Sequence, residues 1–110
     1  MAYNTKLEEK IDALLADWPQ TIVKKSMFGG IGYLINGNMC FGIHKDFLIV
    51  RMDPELSEKK LKDKHVRLFD ISGRPMKGWL MVSEPVWGKK AKLAAWLEEG
   101  REFALGLPAK

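Results

Sequence analysis

The chain has 110 residues, 46% of them hydrophobic and 29% charged, a balance ordinary for one globular domain built round a single core. Its formal net charge of +4 and pI near 9.2 permit an acidic partner without requiring one. No apolar run spans a bilayer, no signal peptide opens the chain and the single Cys40 excludes an internal disulfide, so a cytoplasmic protein without membrane association is expected.

Thr5-x-x-Glu8 reads as a capping box. Behind it Leu7, Ile11, Leu14, Leu15 and Trp18 recur at helical spacing, which predicts a helix from Thr5 to Trp18, stopped by Pro19. Its apolar stripe is read as the side laid against a sheet. Lys24 to Met52 then reads as consecutive antiparallel strands. Asn36-Gly37 supplies the two residues tolerant of positive φ that a type I′ hairpin needs, and Lys45-Asp46 is a second tight turn. The runs Ile31–Ile35, Met39–Ile43 and Phe47–Met52 are short and rich in β-branched and aromatic residues. Strict alternation puts Met39, Phe41 and Ile43 on one face and Cys40, Gly42 and His44 on the other. The Phe47 run is apolar on both sides up to Arg51 and belongs deep in the sheet. Gly29, Gly30 and Gly32 interrupt the first run, so residues 23–28 and 31–35 form one bent strand around a bulge or two short strands. These glycines contain GxG but not GxGxxG, and no helix follows to receive a phosphate, so the backbone reading is preferred.

Asp53-Pro54-Glu55 starts a second helix, which runs to about Lys62 with only Leu56 and Leu61 as apolar anchors. Residues 66–71 read as a strand, Ser72-Gly73 as a turn, and Pro75 as the opening of a strand over 76–82 that looks like a sheet edge. The last helical region starts at Ser83-Glu84-Pro85, carries Leu93, Trp96, Leu97, Gly100 and Ala104 on one face, and is ended by Gly106-Leu107-Pro108. The order α-β-β-β-(β)-α-β-β-α lacks alternating βαβ units. It predicts an α+β fold in one domain over 1–110: a two-layer sandwich, with an antiparallel sheet of about five to six strands and helices on one side.

Little of the chain carries chemistry on its own. Cys40 and His44, four residues apart on a strand, stand roughly 13 Å apart and cannot form a nucleophilic pair. There is no HxxxH or CxxC, and the acids lie on helix exteriors, so no catalytic residue, metal site or cofactor is expected. Cys40 is expected as a small buried or interface residue and His44 and His65 as solvated. Lys24, Lys25, Arg51, Arg74, Lys77 and Trp79 form a candidate binding surface if they converge, of the kind that tracks phosphates and stacks bases. Arg74 could instead meet a buried carboxylate such as Asp70. Trp18 and Trp96 fall on core faces, and Trp87 is expected to be partly exposed.

Lys25-Ser26-Met27-Phe28-Gly29-Gly30-x-Gly32, then Gly37-x-Met39-x-Phe41, then Leu48-x-Val50-Arg51, and later Arg74-Pro75-Met76 with Trp79, resemble in that order the TfoX/Sxy N-terminal domain family. The resemblance runs through nearly the whole chain and implies the same α+β arrangement. It also implies a bacterial, non-enzymatic regulatory or protein-interaction module connected with competence genes, where full-length family members act as transcriptional co-regulators. Those regulators carry a second, C-terminal domain, and this chain is expected to be a stand-alone N-terminal one. Met27, Phe28, Gly29, Gly30, Gly32, Gly37, Pro75 and Met76 belong to the recurring pattern and are expected to be structural. The expected partner is a protein, or a second copy of the chain in a homodimer. Direct nucleic-acid binding through the basic and aromatic set is the alternative, and a small-ligand carrier or enzyme near Cys40 and His65 a further one.

Overall fold

The computed structural model describes residues 3–27, 29–70 and 76–109. Six strands form one antiparallel sheet: β1 (Val23–Met27), β2 (Gly30–Ile35), β3 (Asn38–His44), β4 (Phe47–Arg51), β5 (Val66–Phe69) and β6 (Met76–Val82), in the spatial order β1-β2-β3-β4-β6-β5. The first four strands follow one another as hairpins. After α2 (Pro54–Lys60) the chain lays down β5 at the far edge and returns through β6 to close against β4. The edges are therefore β1 and β5. The strand expected at an edge because of Pro75 is interior, because β6 pairs on both sides; Pro75 itself lies outside the described residues.

The turns follow the chemistry of their residues. Asn36 and Gly37 both have positive φ, 54° and 82°, as a type I′ hairpin requires. Lys45 also has positive φ, 55°. Its neighbours hold it there: the Asn4 N–H donates to Lys45 O at 2.8 Å and Trp87 Nε1–H to Asp46 O at 3.0 Å. Gly29, at φ 75°, sits in the connection between β1 and β2, so the glycine-rich run is two short paired strands rather than one strand bent at a bulge. Gly30 answers a different need, since a Cβ there would run into the backbone carbonyl of Ile43.

The bulge lies one strand further on. Tyr33 pairs with Phe41 but Leu34 pairs with Met39, leaving Cys40 as the extra residue. An extra residue reverses the alternation that follows it. Cys40 therefore joins Phe41 and Ile43 on the helix side and Met39 turns to the other, which corrects the strict period-two assignment.

All the helices pack on one side of the sheet. α1 (Thr5–Leu15) is capped by Asn4, whose Oδ1 accepts from the Leu7 N–H at 3.0 Å; the cap is not Thr5, and the helix stops before Trp18. α2 starts as expected, with Asp53 Oδ1 accepting from the Glu55 N–H. The last helical region is two helices, α3 (Glu84–Trp87) and α4 (Lys90–Leu105). α4 buries Leu93, Trp96, Leu97, Gly100 and Ala104 against the sheet, the stripe that the spacing predicts. Gly100 permits the close approach, because a Cβ there would meet Cys40 O. Trp87, expected to be partly exposed, is 2% exposed. Side chains buried in this layer, such as Leu48, Val50 and Leu80, each contribute roughly 1.5–3 kcal/mol by leaving water.

The second face of the sheet carries a smaller apolar cluster of Met39, Ile49, Phe69 and Met81, flanked by half-buried Met27, Leu34, Phe47 and Trp79. Among the described residues every member of this cluster belongs to a strand.

Candidate functional site

Two neighbouring rows of residues cross all six strands, and they differ in kind. The helix-side row runs Lys24–Tyr33–Phe41–Val50–Leu80–Leu68 and is apolar apart from its first residue. The next row, Lys25–Gly32–Gly42–Ile49–Met81–Arg67, lies on the second face. It has a cation at each sheet edge, spans roughly 24 Å at ordinary strand spacing, and is low in the middle. Met27 lies where a Gly32 side chain would be and Met39 where a Gly42 side chain would be, so the floor between the cations is largely methionine.

The two faces treat their cations differently. On the helix side Lys24 Nζ lies 3.0 Å from Glu8 and 2.7 Å from Asp12, and Asp12 also accepts from Tyr33 OH at 3.0 Å. Partial desolvation pulls the Lys24 ammonium pKa down, but its hydrogen bonds to Asp12 and Glu8 outweigh that and the net direction is up. Arg101 on α4 stacks on Trp18 and pairs with Glu98. Arg51, the last residue of β4, has its guanidinium 5.1 Å from the Trp79 ring centre of the second face and 5.2 Å from that of Phe103 on α4, so it touches both layers at the end of the strand; on the second face Arg67 lies 4.9 Å from the Phe47 ring centre. Among the described residues neither arginine has a carboxylate partner, nor do exposed Lys25 and Lys77. The sequence pattern makes this systematic, because none of the 14 carboxylates stands in a strand.

The basic set singled out from sequence is thus divided. Lys24 does not belong with the others, because α1 holds it on the helix side. Lys25 and Trp79 share the second face, and Arg51 meets Trp79 from the end of β4. Lys77 is exposed on β6 just before Gly78, and Arg74 lies outside the described residues. Asp70, offered as a buried partner for Arg74, is exposed. Arg67 and Phe47 were not singled out, though the signal was present: Arg67 is the one charge in Val66-Arg67-Leu68-Phe69, at the alternation of an otherwise apolar strand. Arg67, Phe47, His44, Lys45, Asp70 and Met81 line an open cleft of about 590 Å3 at that end of the row.

Cys40 and His44 lie on opposite sides of the sheet, because the bulge turns Cys40 inward. The Cys40 S–H donates to Tyr33 O at 3.2 Å, and burial pushes the thiol up to about 12. His44 is half-buried with its ring 5.8 Å from that of Phe69, and His65 is half-buried ahead of β5, so neither is fully solvated. Among the described residues no group of three His, Cys, Asp or Glu is placed to hold a metal ion, and no helix is long and apolar enough to cross a membrane.

The sequence profile of the TfoX N-terminal domain matches residues 13–104. The chain belongs to the TfoX N-terminal domain family. No curated protein and no solved structure gives a significant match. The family match spans the sheet and α4, so the residues that carried the resemblance can be placed. Gly29 and Gly37 make turns, Gly30 and Gly32 make room for a neighbouring strand and for Met27, and Met76 opens β6 opposite Phe69. Phe28 and Pro75 lie outside the described residues.

Proposed function

We propose that this TfoX N-terminal domain is a non-enzymatic regulatory module that works by binding a protein partner on the second face of its sheet. One observation carries the reading: among the described residues Lys25, Arg51 and Arg67 have no carboxylate partner and stand round an apolar cluster, whereas Lys24 and Arg101 on the helix side are paired with acids of the same chain. Arg67 is exposed and Arg51 half-buried, each beside aromatic rings, and arginine with aromatic side chains is enriched at protein interfaces. Cys40 supports the non-enzymatic reading, since a buried thiol held protonated near neutral pH is a poor nucleophile. A connection with the regulation of competence genes, and a cytoplasmic setting, come with the family resemblance as parts of this proposal. Direct nucleic-acid binding through the original basic set loses Lys24 to Glu8 and Asp12.

The test is site-specific photo-crosslinking in cells, with p-benzoylphenylalanine replacing Lys25 or Arg67 on the second face and Glu102 on the exposed side of α4. Discrete adducts from the first two positions and none from Glu102 are expected. The same adducts from Glu102, or none from Lys25 and Arg67, would overturn the reading.

A further inference from the structure

Resting on that reading, we infer that the partner of the second face is an acidic amphipathic protein segment, its carboxylates taken by Arg51 and Arg67 and its apolar side chains seated against the half-buried Met27, Leu34 and Phe47 that flank the methionine cluster. Charge comes first. The strands carry no acid and, among the described residues, no carboxylate pairs with either guanidinium; Asp70 lines the cleft beside Arg67 without an ion pair to it. Opposite charge on the partner satisfies them; a second copy of this face would set cation against cation.

Geometry comes next. The Arg51 guanidinium rests against Trp79 and Phe103 and that of Arg67 against Phe47, which restricts both planes before any ligand arrives and leaves their N–H donors for a carboxylate. By strand spacing the two stand roughly 12 Å apart, a separation that one extended or helical segment spans. The floor then distinguishes a peptide from a nucleic acid. Half-buried Met27, Leu34 and Phe47, packed over buried Met39, Ile49 and Met81, offer apolar contact that suits leucine-like side chains. The ring that base stacking would need, Trp79, is half-buried and already faced by Arg51.

The experiment uses the whole chain and three fluorescein-labelled probes: a peptide with glutamates along one side and leucines along the other, a polyglutamate of equal charge, and a duplex DNA of about twenty base pairs. The amphipathic peptide is expected to bind most tightly. Its affinity should fall at least about tenfold between about 50 and about 500 mM NaCl. Arg67→Gln and Arg51→Gln should each weaken it about tenfold, and Lys90→Gln on α4 should leave it unchanged. Because Arg51 also packs on Phe103, Arg67→Lys serves as a second variant, keeping charge while losing the planar fork; partial loss is expected. Equal binding of polyglutamate would remove the floor from the argument and overturn the inference. So would tighter binding of DNA that is lost in Arg67→Gln, or no binding of the amphipathic peptide. If crosslinks form at Lys25 and Arg67 while the amphipathic peptide does not bind, the interaction face stands and only the acidic partner is refuted. If those crosslinks fail, the face itself is refuted.

Discussion

Cys40 and Tyr33 govern how stability responds to alkaline pH. Burial raises both groups. For Tyr33 the charge of Asp12 and its hydrogen bond add to the shift, while backbone hydrogen bonds only partly oppose it for Cys40. A raised group stays protonated in the folded protein while its unfolded counterpart ionises. The stabilisation is therefore whole below the ordinary values of 9.0 and 10.0 and is lost as pH climbs from there toward the folded values. Urea unfolding should give constant stability from about pH 7 to about pH 8.5, then a decline approaching ~1.4 kcal/mol per pH unit for each group ionised in the unfolded chain. Cys40→Ala should delay the onset by about one pH unit. An identical onset in the variant would show that the thiol is not held protonated by the fold.

At the scale of elements, the tight turn between β3 and β4 is a junction. The Asn4 N–H donates to Lys45 O, Asn4 Nδ2–H donates to Asp46 Oδ1 at 3.2 Å, and the Trp87 indole donates to Asp46 O. The start of α1 and the end of α3 thus meet on one two-residue turn, and Asn4 serves the turn and caps α1 together. Asn4→Ala should cost about 1–2 kcal/mol, and Asn4→Ser, which keeps the cap but not the reach to Asp46, less than half of that. Equal losses in thermal unfolding would mean that the cap contributes nothing. The sequence pointed to the helix start but placed the cap one residue late at Thr5, because Thr5-x-x-Glu8 fits the capping pattern and no local signal shows that Lys45 and Asp46 will lie beside Asn4. The same limit explains Cys40. Alternation is legible along a strand, but a bulge depends on the partner strand, here the shift opposite Tyr33 and Leu34. Asn36-Gly37 was legible because its φ demands are local. The stripe on α4 was legible because one face does all the packing. The second face was half legible: Lys25, Arg51 and Trp79 stood out as residues, but that Lys24 points away and Arg67 completes the row follows only from the strand order.

For the whole molecule, layering predicts the order in which the sheet opens. β3 and β4 are flanked by strands on both sides and covered by α4 on one face and the methionine cluster on the other. β1 is an edge with Val23, Lys24, Lys25 and Ser26 all exposed, and α2 leans mainly on β6 with Ser57 as its one buried residue. Local opening needs little free energy where little apolar surface is buried. Hydrogen exchange should therefore protect peptides covering 38–51 to the level of global unfolding, with those covering 23–27 and 54–60 exchanging faster. Uniform protection would mean that the edge strand and α2 open only with the core. The expected protected centre coincides with the methionine cluster of the second face, and the expected faster-exchanging β1 with the Lys25 end of its row. A segment lying from Lys25 to Arg67 would tie β1 to the well-packed strands beside it, so its largest effect on exchange should fall at β1, where the free protein has the most protection to gain.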